Sequence, residues 1–231
     1  MRQRSEVSHG FFVTGTDTGV GKTLVACALL RAFAGAGRST VGMKPVAAGS
    51  EGGRWADVEA LAGASAVRAP ANLVNPYAFE PAVAPHIAAE LAGVRIEIES
   101  IERAYEELSR RAEVIVVEGV GGFLVPLNER DTSADLASRL ALPVVLVVGM
   151  RLGCLNHALL TRVQIESHAL RCVGWVANCI VPDMPHLDAN IRALEERLDC
   201  PFLGTVPFQR DPRPETVARL LVLEALIEAT T

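Results

Sequence analysis

The run Phe11-Phe12-Val13-Thr14-Gly15-Thr16-Asp17-Thr18-Gly19-Val20-Gly21-Lys22-Thr23 decides the fold. Strand-forming residues give way to a glycine-bearing loop, and Gly-Lys-Thr opens an apolar stretch with helical spacing. That order suits a nucleoside triphosphate. Loop N–H groups cradle phosphate oxygens, and the helix N-terminus adds the positive end of its dipole. Lys22 can reach the β- and γ-phosphates, and the Thr23 hydroxyl can ligate Mg²⁺. The common G-x-x-x-x-G-K-[ST] spacing would put glycine at position 16. Here that position is Thr16 and the first glycine is Gly15, so the loop is one residue longer.

Outward from this loop, strand-like runs fall at 10–14, 39–44, 113–118, 143–149, 172–178 and 202–206. Most are continuously apolar, as in Val114-Ile115-Val116-Val117, which fits strands covered on both faces. Helical patterns fall near 22–36, 55–63, 97–111, 154–169, 186–199 and 214–229. The alternation predicts an α/β fold of the phosphate-loop NTPase kind, a parallel sheet with helices on both faces, as a single domain over residues 1–231. Ligands in such sheets bind beyond the carboxyl ends of the strands. Thr14, Lys44, Glu118 and Asn178 end strand-like runs and are expected on one rim. The Ala-, Pro- and Asn-rich stretch 65–85 reads as an extended loop over that rim, and the proline-bearing 207–214 as another.

Composition narrows the function classes. Half of the 231 residues are hydrophobic and 21% are charged, which excludes a disordered chain. A net charge of -5 with no basic block argues against nucleic acid as a partner. The longest strongly apolar run, Leu140 to Met150, is too short to span a bilayer. Near the N-terminus, Arg2 and Arg4 precede a stretch interrupted by Asp17 and Lys22, so no targeting segment is read and a cytosolic location is expected. The five cysteines, Cys27, Cys154, Cys172, Cys179 and Cys200, form no C-x-x-C pair and are read as reduced thiols.

Several polar residues carry two readings. Asp57, at the start of a predicted helix, is either a dipole-stabilising acid or a carboxylate for Mg²⁺. Lys44 is either a solvated charge at a strand end or a functional cation. Gly153-Cys154-Leu155-Asn156-His157 opens a helix, as simple capping or as a carboxylate site. Glu118 ends a buried strand opposite the phosphate loop, where a metal-positioning carboxylate belongs. Thr23, Asp57 and Glu118 together make a hard oxygen site suited to Mg²⁺. His86, His157 and His168 have no metal spacing and are read as structural.

Taken together, the long phosphate loop, Lys44-Pro45-Val46, Asn75-Pro76-Tyr77, Ala84-Pro85-His86, Val117-Glu118-Gly119 with Gly121-Gly122, Leu152 to His157 and Gly174-Trp175-Val176-Ala177-Asn178 resemble the dethiobiotin synthetase family over nearly the whole chain. The resemblance implies Mg·ATP-dependent ring closure of 7,8-diaminononanoate with CO₂, through a carbamate and its phosphorylated anhydride. It implies that Lys22, Lys44 and Thr18 serve the reaction, and that Thr23, Asp57 and Glu118 hold Mg²⁺. Gly19, Val20, Gly21, Lys22, Thr23 and Leu24, with Gly119, Val120 and Gly121, would line the nucleotide phosphates. Asn178, Cys179, Pro207, Phe208 and Gln209 would read the base. Ala48 and Gly153, Cys154, Leu155 and Asn156 would meet the substrate, the latter four across a homodimer interface. Three positions depart from the family's pattern. Ala48 stands where Ser or Thr is frequent, Cys179 where many members carry an acid, and no tyrosine lies in 186–190, where only Asn190 offers a polar substitute.

Two other classes share a related loop. A partitioning ATPase, acting as a dimeric switch on membranes or DNA, carries a lysine where this chain has Asp17. A metal-insertion or maturation NTPase is expected to show a His or Cys cluster, and the sequence has none.

Overall fold

The structure is a computed structural model that describes residues 9–228. Arg2, Arg4 and the last position of the predicted C-terminal helix lie outside the described residues. Six strands pair in parallel: β1 (His9–Gly15), β2 (Thr40–Met43), β5 (Val114–Glu118), β6 (Val144–Met150), β7 (Cys172–Cys179) and β8 (Phe202–Val206), in the spatial order β2-β5-β1-β6-β7-β8. All seven residues of β6 and all five of β5 are buried, as continuous apolar runs require of strands covered on both faces. A smaller parallel pair joins β3 (Val46–Ala48) to β4 (Tyr77–Phe79).

Alternation along each strand sorts its side chains into two cores. Phe11, Val13, Val114, Val116, Val145 and Val147 pack with α1 (Lys22–Gly35), with Leu61 of α2 (Ala56–Ala64) and with Val217 of α9 (Pro214–Ala218). Phe12, Ile115, Val117 and Val144 face α5 (Ile98–Ser109) and α6 (Ser133–Arg139). Leu146, Val148, Trp175 and Ala177 continue that face under α7 (Cys154–Ser167) and α8 (Leu187–Glu195). The lack of a side chain at Gly42 admits the second helical layer. A Cβ there would come within 3.0 Å of Leu30 and 3.1 Å of Leu61.

The six main strands match the sequence expectations, and the stretches between them bring corrections. Residues 65–85 are not a plain loop. They hold α3 (Ala71–Val74) and β4, and Pro85 starts α4 (Pro85–Leu91). These elements are too short for periodicity to register. Helix α6 is an addition to the predicted helices, and Thr132 and Asp135 form a capping box at its start. The predicted 214–229 helix breaks into α9 and α10 (Glu224–Glu228). Between them Val222 N–H donates to Leu203 O at 2.8 Å, a sheet-edge bond that a continuous helix would forbid.

Candidate functional site

β1 occupies the third position of the sheet, flanked by β5 and β6. Chain order reverses about it, which opens a crevice at the carboxyl ends. The phosphate loop fills that position. Gly19 and Gly21 take positive φ of 73° and 93°, a region that disfavours other residues. Gly21 is also crowded, since a Cβ there would lie 2.1 Å from Asn178 Nδ2. Asn178 in turn donates to Val20 O at 2.7 Å, so the end of β7 clamps the loop and leaves its own Oδ1 uncommitted. No side chain caps α1, and among the described residues no acceptor takes the N–H groups of residues 19–24. Six free donors at a helix N-terminus form a cradle for an anion. Thr18 is exposed beside it, its hydroxyl 3.5 Å from where a Gly121 Cβ would stand, so the Gly119–Gly122 turn lies alongside.

The other strand ends close the site. Lys44 is only 4% exposed, which excludes the solvated-charge reading. Its Nζ donates to Glu118 Oε1 at 2.7 Å and to Gly119 O at 3.2 Å, and lies 3.0 Å from Asp57 Oδ2. Burial pushes its pKa down, but Glu118 and then Asp57 outweigh that and hold it above the ordinary lysine value. Asn75 pins its main chain, donating to Lys44 O at 2.6 Å. Asp57 arrives through tertiary contacts, because Trp55 Nε1 donates to Phe79 O of β4 at 3.0 Å and so anchors the start of α2. Asp57 takes the helix-terminus position of its first reading and also pairs with Lys44. It sits in the first turn of α2, where Oδ1 accepts Val58 N–H, while Oδ2 faces Lys44.

Lys22 is buried too, its Nζ donating to Asp17 O at 2.8 Å. Desolvation first, then the nearby Lys44 charge, lowers its pKa to about 8. Both lysines are thus buried and near enough for the charge of Lys44 to act on Lys22, with Lys44 already paired to Glu118 and Asp57.

Thr23 Oγ1 donates to Glu118 Oε1 at 2.8 Å, and Glu118 Oε2 is buried with no partner. An orphaned carboxylate oxygen beside a hydroxyl and a second carboxylate fits a hard divalent cation that keeps several waters. Among the described residues no cluster of three or more His, Cys, Asp or Glu forms a metal cage, so a maturation-type metal site is absent there.

The remaining predicted residues lie on the same rim or at its edge. Cys179 is buried at the end of β7 and hydrogen-bonds the backbone of Phe208. In the strand register Asn178 pairs with Val206, so Pro207, the exposed Phe208 and Gln209 follow directly at the same rim. Ala48 ends β3. Gly153 (φ 93°) is the N-cap of α7, as the capping reading has it, and no side chain caps the helix. Cys154 is 2% exposed and turned into the core, so any ligand contact it makes is through its backbone, whereas Asn156 is exposed. Of the cysteines, Cys27, Cys154 and Cys179 are buried, and all five are free thiols. His168 is structural, stacking edge-on against Phe123.

One residue at this rim escaped the sequence reading. Arg151 directly follows β6, and its Nη2 lies 2.5 Å from Asp17 Oδ2. The criterion that found Lys44 and Glu118, a polar residue closing an apolar strand, would have found it.

Comparison with known proteins agrees with this geometry. A family model described as an AAA domain matches residues 9–216. The ATP-dependent dethiobiotin synthetase BioD of Nitrosospira multiformis is 54% identical over 93% of this chain and 95% of its own length. The enzyme of the same name from Aromatoleum aromaticum is 51% identical over 93% and 97%. Among solved structures, the Aquifex aeolicus cell-division protein MinD superposes with TM-score 0.58 at 18% identity, covering 96% of this chain and 95% of that one. The septum site-determining protein MinD of Pyrococcus horikoshii gives 0.53 at 16%, covering 96% and 90%. These structural likenesses speak for the fold alone. On sequence and on site geometry together, this chain belongs to the ATP-dependent dethiobiotin synthetase family.

Proposed function

We propose that the chain closes the cyclic urea of dethiobiotin from 7,8-diaminononanoate, CO₂ and ATP, a step of biotin synthesis in the cytosol. The observation that carries this reading is the pair of buried lysines, Lys22 and Lys44, beside six N–H donors that no described acceptor takes. The reaction must bring a carbamate and a γ-phosphate, both anionic, into line. Fixed cations and backbone donors offset that charge without reorganising. The loop N–H groups of Gly19 to Leu24 hold the phosphates, and Lys22 leaves Asp17 O to reach them. Lys44, with Thr18 close by, stands where the carbamate oxygen attacks phosphorus. The anhydride so formed is opened by the second amine, which expels phosphate and closes the ring. Thr23, Asp57 and Glu118 would hold Mg²⁺, which supplies charge neutralisation on the β- and γ-oxygens. Asn178 Oδ1, with Cys179 and the Pro207–Gln209 loop, faces the base.

The site is shared between two subunits in this reading. Asn156, Leu160 and Val163 follow an i, i+4, i+7 spacing and so share one face of α7. Leu160 and Val163 are each 59% exposed and Leu152 98%, an apolar surface suited to a second copy of the chain. Docking it would deliver Asn156 and the open N-terminus of α7 to the partner's substrate carboxylate. A reaction with the diamine, labelled bicarbonate and Mg·ATP, read by mass spectrometry, is expected to yield labelled cyclic urea. ATP hydrolysis that ignores the diamine, with no labelled urea, would favour the dimeric-switch alternative.

A further inference from the structure

Asp17 is the only acidic side chain between Gly15 and Thr23, and a carboxylate there opposes the polyanion that the loop is read to hold. The structure shows how it is offset. Asp17 Oδ1 accepts Thr18 N–H at 2.7 Å, its main-chain O accepts Lys22 Nζ at 2.8 Å, and its Oδ2 meets Arg151 Nη2 at 2.5 Å. The Thr18 N–H foremost, then Arg151 and the more distant His157, hold the carboxyl below its ordinary pKa against the effect of partial burial. It therefore stays charged at neutral pH. Arg151 also accepts Cys154 N–H on its own carbonyl at 3.0 Å, which fixes its backbone at the start of α7.

We propose that Arg151 is a positioning residue for nucleotide binding, neutralising Asp17 and holding the phosphate loop in the shape that admits Mg·ATP. The two side chains are 42% and 47% exposed, and such a pair contributes little to folding stability. Its effect belongs in nucleotide affinity, through the charge an incoming triphosphate meets. The inference rests on reading the loop as the triphosphate site.

The test measures Mg·ATP binding to the full chain by calorimetry, without diamine, at low and high salt. Arg151→Met is expected to raise Kd about tenfold at low ionic strength, the scale of one bared unit charge facing several phosphate charges through partly solvated surroundings. The effect should shrink at about 0.5 M salt, while Tm stays close to wild type. Arg151→Lys should retain most of the affinity. Asp17→Asn keeps the Oδ1 acceptor and, added to Arg151→Met, should bring Kd back to within about twofold of wild type. An unchanged Kd in Arg151→Met, or no recovery on adding Asp17→Asn, overturns the proposal. Lys22→Gln separates the two layers. If it binds ATP as tightly as wild type, the phosphate-loop reading fails and this inference with it. If it binds poorly and the Arg151 series is flat, only this inference falls.

Discussion

Replacing Lys44 by methionine removes the cation between two carboxylates while keeping the length and apolar bulk of the side chain. At an effective dielectric of about 20, a charge pair at the Glu118 distance of 2.7 Å attracts by about 6 kcal/mol, and one at the Asp57 distance of 3.0 Å by slightly less. Desolvating the ammonium and the carboxylates consumes much of that attraction. What truncation exposes is therefore the stranded partner. Glu118 is 1% exposed, one of its oxygens already lacks a hydrogen bond, and it would face Asp57 uncompensated. Leaving a buried charge in that state costs about 3–5 kcal/mol. For a chain of this size that lowers Tm by about 10 °C. Urea unfolding of the metal-free protein should show a lower midpoint at unchanged slope. The double variant Lys44→Met/Glu118→Gln should recover more than half of the loss, because the stranded charge is gone. A Lys44→Met protein as stable as wild type, or a double variant no better than the single one, would refute the view that this ion pair organises the rim.

The milder Glu118→Gln and Asp57→Asn should raise the Mg²⁺ concentration needed for half-maximal rate and cut turnover on the order of 10²-fold, with folding less affected; normal turnover at low Mg²⁺ would make that residue structural only. Lys22 loses its proton more readily in the folded chain than in the unfolded one, its pKa being about 8 against 10.5. Folding stability should therefore gain as pH rises from about 8 toward 10.5, while Mg·ATP affinity of the free enzyme weakens over the same window. Lys22→Arg, which keeps its charge, should flatten that affinity profile, and a wild-type profile already flat there would contradict the assignment. Mixing inactive Lys22→Gln and Asn156→Ala proteins under subunit exchange should restore roughly a quarter of wild-type activity, since half the dimers are mixed and each mixed dimer holds one intact site. Zero activity despite exchange shown by tagged subunits would place Asn156 and Lys22 of one chain in the same site and overturn the cross-subunit reading.

The central sheet and the loop at its middle can be read from local sequence. Continuous apolar runs such as Val144 to Val148 can be satisfied only between two helical layers, and Gly-Lys-Thr after a strand is a local motif, complete within a few residues. Parallel pairing then places every strand end on one rim, so Thr14, Lys44, Glu118 and Asn178 were legible as a group from their positions alone. What those residues do to one another was not legible. Whether Lys44 was solvated or buried depended on Glu118, 74 residues away, and on Asp57, which reaches it only because Trp55 is bonded to Phe79 on a three-residue strand. Elements as short as β3 and β4 leave no periodic trace, and their stability comes from the surface they pack against. The offset of Asp17 by Arg151 spans 134 residues and joins the ends of adjacent strands β1 and β6. Local propensity encodes strands and turns, but the charge balance of the site is a sum over long-range neighbours, and only the folded chain brings those neighbours within a few ångström.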